Sequence, residues 1–196
     1  MNFDFCLQIN DDLAKLDFAK AIQTAESKLK ELPVTDFHAV LGLSFTGQTE
    51  EVADWIELFF QKSSEKITVQ SLYFEMNEFD INTDEWYIDG FAFSKDDGLN
   101  LNNMEWLGDF ETYAQVETNT LLSLHGFEKL QDAFEIIEVD SQQLQDAKDW
   151  CEQIIIARYM ELMYAAHTLA KQKQMNWGAV PIYFTEHAYD FIVRSE

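Results

Sequence analysis

The chain is poor in the residues that punctuate or staple a fold. Two prolines and seven glycines among 196 residues provide no Pro/Gly/Ser-rich linker. No internal repeat or low-complexity tract divides the sequence either, so one domain spanning 1–196 is expected. Two cysteines, Cys6 and Cys151, make no disulfide framework, and each sits in an apolar pattern that reads as a buried, reduced thiol. No run of eighteen apolar residues occurs. The densest, Ile154 to Ala157, is flanked by Glu152 and Arg158, which argues against a membrane-crossing helix. The opening Met1-Asn-Phe-Asp-Phe-Cys6 shows no basic stretch followed by an apolar one, so a cytoplasmic location is expected.

Basic residues are the scarcest class. Thirteen Lys+Arg stand against 36 Asp+Glu, for a net charge of −23. Such a field repels phosphate backbones and anionic lipid, so neither nucleic acid nor membrane is expected as a direct partner. A basic protein partner, a metal cation or solubility alone are the uses the charge allows.

Apolar side chains, by contrast, are plentiful. Hydrophobic residues make up 47% and aromatics 14% of the chain, a composition that separates it from disordered acidic segments. A chain of this length buries about 70% of its unfolded surface and needs no staples.

Charge and aromatics coincide in one stretch. From Leu72 to Glu117 there are twelve carboxylates and one basic residue, Lys95, a local net charge of −11. Interleaved with them are Tyr73, Phe74, Phe79, Trp86, Tyr87, Phe91, Phe93, Trp106, Phe110 and Tyr113. Aromatics at this density anchor a fold or an interface, while the carboxylates set the field around them.

Periodicity gives the elements. Phe3, Phe5 and Leu7 alternate as a short strand, and Asn10 or Asp11 caps a helix running to about Leu32, before Pro33. Phe37 to Phe45 has apolar odd positions and reads as a strand. Thr49 caps a helix to about Lys66, with Glu50 and Glu51 at its positive end. Ile67 to Met76 and Trp86 to Ser94 read as strands, an antiparallel pair around an acidic loop. A weaker helical segment holds Trp106, Phe110 and Tyr113, another helix follows Gly126, and Phe134 to Val139 reads as a strand. The longest element is a helix from Ser141 to about Gln174, with Asp140 and Gln143 spaced as a capping box. Its length of about 50 Å crosses a whole domain. Its apolar positions span more than one face, for packing inside the monomer or against a second copy. Val180 to Phe184 reads as a last strand, with Thr185 capping a final short helix. The expected class is α+β: a mostly antiparallel sheet of about four to six strands against helices, with one long helix near 141–174.

Motifs for chemistry fall short. Gly42-Leu-Ser-Phe-Thr-Gly47-Gln48-Thr49 has the spacing of a phosphate-binding loop, but Gln48 replaces the lysine and Gly42 lies inside the expected strand. Ser44 is one residue out of step for a nucleophile elbow. Asp80-Ile-Asn82-Thr-Asp84 matches the first ligands of a calcium loop. The match fails at Glu85, where glycine is needed, and at Phe91, where a glutamate is needed. His38, His125, His167 and His187 show no metal-ligand spacing. No catalytic residue, metal ligand or cofactor is assigned on these grounds.

The expectation is therefore a non-catalytic acidic protein that occludes a basic protein partner, in the manner of an inhibitor or immunity protein. Glu75, Glu78, Asp80, Asp84, Glu85 and Asp89 would supply steering and ion pairs, with Trp86 and Tyr87 as anchors. The alternative is a small enzyme or ligand-binding domain. The two differ in shape: a flat or convex face with exposed aromatics for an inhibitor, a concave pocket with a few titratable groups for an enzyme.

Overall fold

The computed structural model describes residues 3–108, 115–187, 189 and 191–196. In chain order it forms helices α1 (Phe3–Cys6), α2 (Asn10–Ala14), α3 (Phe18–Lys30) and α4 (Thr49–Ser64), then strands β1 (Ser71–Met76), β2 (Tyr87–Phe93), β3 (Gln115–Glu117) and β4 (Leu122–Ser123). Helices α5 (Glu128–Ile136) and α6 (Gln142–Lys173) follow, then strands β5 (Ile182–Glu186) and β6 (Val193–Ser195). The class is α+β, as the periodicity implies. The sheet order is β3-β2-β1-β5-β6, with β4 also on β2. Among the described residues only the central β1–β5 pair is parallel, and α5 and α6 lie between those two strands in the sequence, as a parallel connection requires.

Helix α6 organises the core. Cys151, Ile154, Ile155, Ile156, Ala157, Tyr159, Met160, Leu162 and Met163 are all fully buried, because α3, α4 and the sheet surround it. Its two-sided apolar pattern is thus used within the monomer. Ser141, not Asp140, is the cap, its hydroxyl accepting from Leu144 N.

Several expected elements are replaced, each for a local reason. The N-terminal strand is helical instead: Cys6, Ile9 and Leu13 are buried at helical spacing, whereas Leu7 is 69% exposed. The single helix from Asn10 to Leu32 breaks at Leu16, which adopts a left-handed φ of 59°. Asp17 then caps α3 by accepting from Lys20 N, as its short carboxylate is suited to do.

The Phe37–Phe45 strand is a 3-10 turn over Asp36–Val40 and a bend at Gly42, where φ is +79°. His38 fixes this shape. Its Nδ1 accepts from Thr35 N at 3.1 Å, so Nε2 carries the proton and donates to Leu29 O at 2.9 Å. A strand leaves both partners out of reach.

Gln48, at the lysine position of the phosphate-loop spacing, is structural. Its amide donates to Ser123 O and accepts from His125 N at 2.8 Å, pinning β4 to the start of α4. The expected strand over Phe134–Val139 is the last turn of α5 and an exposed connection, with Ile136 74% exposed. Trp106 lies in a 3-10 turn, Glu105–Leu107; Phe110 and Tyr113 fall outside the described residues. Thr185 does not cap a helix: it lies in β5, and its hydroxyl donates to Phe191 O at 2.9 Å, tying β5 to the turn into β6. Among the described residues no helix is long and apolar enough to cross a membrane.

Gly178 closes the turn after α6. A Cβ there would lie 2.9 Å from Ala170 C and Lys171 N, backbone atoms that cannot step aside. Gly178→Ala is expected to cost about 2 kcal/mol by overpacking, a fall in Tm of about 4–8 °C for a chain of this size. Thermal unfolding followed by circular dichroism checks it, and an unchanged Tm would show that the turn has room to relax.

Candidate functional site

The helices cover one face of the sheet. On the other face Tyr73, Phe93 and Tyr183 form a small cluster with Trp106 and Leu107 of the 3-10 turn. Trp106 roofs it, edge-on to Phe93 at 5.3 Å and to Tyr183 at 5.4 Å. Further along the strands this roof ends, and among the described residues the face opens.

Two adjoining hollows of about 300 and 370 Å³ lie there, sharing Glu75, Phe91 and His187. Their geometry follows from register. Glu75 of β1 stands directly opposite Asp89 of β2, and Tyr73 opposite Phe91. Tyr87, Asp89 and Phe91 therefore project in a row from one strand, at the two-residue repeat of a pleat. Asn77, Glu78 and Asn82 come from the β1–β2 connection, and His187 follows β5.

Like charges directly across a strand pair are destabilising, so the carboxylates need donors. Glu75 accepts from the Tyr73 hydroxyl, and its second oxygen lies 3.2 Å from His187 Nδ1. Burial, with Glu75 beside it, holds the Tyr73 phenol protonated far above its ordinary range. Asp89 accepts from the Thr118 hydroxyl and from Gly90 N at 2.7 Å. Asn77 braces the cleft wall, accepting from Tyr87 N and donating to Glu85 O.

No lysine or arginine lines the cleft among the described residues. Elsewhere the few cations meet carboxylates: Lys20 with Asp12, Lys148 with Asp80, Arg158 with Glu26, Arg194 with Asp96 and Lys173 with Glu50. No serine or cysteine lines the cleft among those residues either. Nor do three or more His, Cys, Asp or Glu side chains of the described residues group to hold a metal ion. What the arrangement offers is a negative, aromatic-walled hollow suited to an organic cation.

Compared with known proteins, the chain matches no family model, no curated protein and no solved structure. Its own residues carry the reading.

Of the residues singled out by sequence, Glu75, Glu78, Tyr87 and Asp89 meet at this cleft. Asp80 turns away to Lys148 of α6, 3.8 Å distant. Asp84 and Glu85 are exposed on the loop, Glu85 accepting from the Ser123 hydroxyl. Trp86 is 1% exposed and belongs to the core: its ring packs on Phe79, Phe127 and Phe134, and its N–H donates to Phe79 O. As an anchor for a partner it points the wrong way. Sequence reasoning missed Tyr73, Asn77, Phe91 and His187 as lining residues. The alternation Tyr73/Glu75 against Asp89/Phe91 carries a signal for the strand residues. His187 has none, since it reaches the cleft only through the parallel pairing of β5 with β1.

Proposed function

We propose that this is a non-catalytic binding protein that engages and occludes a basic protein partner through the open face of its sheet. The observation that supports it most is the convergence of Glu75, Glu78 and Asp89 with Tyr87 and Phe91 in one cleft that no lysine or arginine lines among the described residues. A net charge of −23 steers a cation toward the molecule, and the cleft supplies short-range contacts that distinguish one cation from another.

Capture from the native lysate at low and moderate salt tests this, using three proteins of matched design. The cleft variant is Glu75→Gln with Asp89→Asn, both close in shape to the originals. The control removes the same charge from α5, Asp132→Asn with Glu135→Gln. The cleft variant is expected to lose at least about tenfold in affinity for a captured basic protein, since buried charge pairs at interfaces contribute 2 kcal/mol or more. The control loses about twofold through the field alone. Equal losses in the two variants would mean that only bulk charge matters and the cleft is not the site.

One feature favours a second reading, a small-molecule site. Tyr73, Glu75 and His187 form a hydrogen-bonded line along the cleft floor, the kind of arrangement that moves a proton. On that reading a His187→Gln variant loses function while basic-protein capture stays intact.

A further inference from the structure

Resting on the basic-partner reading, we propose that the cleft receives an arginine side chain of the partner and discriminates against lysine. Two independent features of the cleft make the distinction. The first is the aromatic wall. Tyr87, Asp89 and Phe91 rise in a row on one face of β2, so a carboxylate lies between two rings. Phe91 is already stacked on Tyr73 at 5.9 Å. Tyr87 is half-buried, lines the hollow and has no ring stacked on it among the described residues. A guanidinium is planar and weakly hydrated, and it stacks on such a ring while its edge faces a carboxylate; an ammonium is a compact, strongly hydrated point charge and does neither as well.

The second is the placement of the carboxylates. Glu75 and Asp89 stand directly opposite each other across β1 and β2, with Cβ atoms about 5 Å apart in such pairs. Glu78 and Asn82, from the β1–β2 connection, line the same hollow. Acceptors brought from two strands and their connection suit a group with five N–H donors fixed in a plane. A hollow of about 300 Å³ admits one long side chain and excludes a folded loop. The partner's arginine is thus held by its plane as well as its charge.

The test uses three pentapeptides that differ at one residue, acetyl-Gly-Gly-X-Gly-Gly-amide, with X as arginine, lysine or citrulline. Each is titrated into the isotopically labelled chain at about 0.1 M salt, where the Debye length is about 10 Å, and read by amide chemical shifts. The arginine peptide is expected to bind at least about fivefold more tightly than the lysine peptide, with the largest shifts at Tyr87, Asp89 and Phe91. Citrulline, which keeps the plane and loses the charge, binds more weakly than both. Tyr87→Leu is expected to erase the arginine preference while leaving the lysine affinity within about twofold, and its folded spectrum shows that the loss is local.

Equal affinity for arginine and lysine peptides at the cleft overturns the arginine assignment and leaves the basic-partner reading standing. Shifts confined to the exposed loop around Asp84, or no binding by either cationic peptide, overturn both.

Discussion

Trp86→Ala is expected to lower the free energy of unfolding by about 3–5 kcal/mol, the range for removing a large aromatic from a packed core. The indole is enclosed by Phe79, Phe127 and Phe134, with centroids 5.2, 5.8 and 6.2 Å away, and its N–H satisfies Phe79 O. Truncation removes all three ring contacts and orphans a buried carbonyl. Its neighbour behaves differently. Tyr87 lies on the opposite face of the same strand, half-buried in the cleft, so Tyr87→Leu should cost less than about 1 kcal/mol. Urea unfolding of the two variants separates the roles. A stable Trp86→Ala protein would mean that the ring is not the keystone of this aromatic cluster.

The second large effect is a pH dependence hidden by cancellation. Glu152 on α6 is fully buried, and burial, reinforced by Asp80 and Asp149 and opposed by Lys148, raises its carboxyl to about 7. A raised carboxyl pKa means that the native state holds a proton the unfolded chain has released. Stability from this group is therefore full below about pH 4.5 and falls as pH rises toward 7. His167 on the same helix acts in the opposite sense. Burial, with Lys171 nearby, lowers it to about 4. Its ring stacks on Trp177 at 5.3 Å and its Nδ1 meets Ser195 Oγ at 2.8 Å. The unfolded chain takes up this proton below about pH 6.5, so stability from His167 is present above that value and is lost as pH falls toward 4.

Across about pH 4.5 to 6.5 the two slopes oppose each other. Glu152→Gln removes one of them. The variant is expected to gain stability steadily from about pH 4 to 6.5, and to exceed the parent near pH 8 by an amount of order 3 kcal/mol. Urea unfolding at four pH values between these limits measures it. A variant whose profile runs parallel to the parent's would show that Glu152 is not the group that titrates.

These two cases also show where the sequence is legible. The paired strands β1 and β2, helix α4 and the long α6 come through because their apolar periods run for many residues. Short elements do not: Phe37 to Phe45 alternates like a strand, but the bonds from His38 to Thr35 and Leu29 outweigh the pattern. Two leucines mark the same limit. Leu7 has the apolar parity of a strand residue and ends exposed, and Leu16 breaks a continuous helical pattern with a positive φ that no residue type announces. At the site, the acidic-aromatic stretch is visible as composition, and its parity is not. A shift of one residue sends a side chain to the other face of a strand, which separates Tyr87 and Asp89 in the cleft from Trp86 and Ile88 in the core. His187 is brought in by a contact between segments more than a hundred residues apart.

On the proposed function, a basic partner sits on the open face of the sheet, over Glu75, Glu78 and Asp89. Carboxyl footprinting of the chain alone and with its captured partner addresses this directly, because a water-soluble carbodiimide labels accessible Asp and Glu side chains and mass spectrometry locates them. Labelling of Glu75, Glu78 and Asp89 is expected to fall on complex formation while Asp132 and Glu135 of α5 stay as reactive as before. Protection of the α5 carboxylates with the three cleft residues unchanged would contradict it.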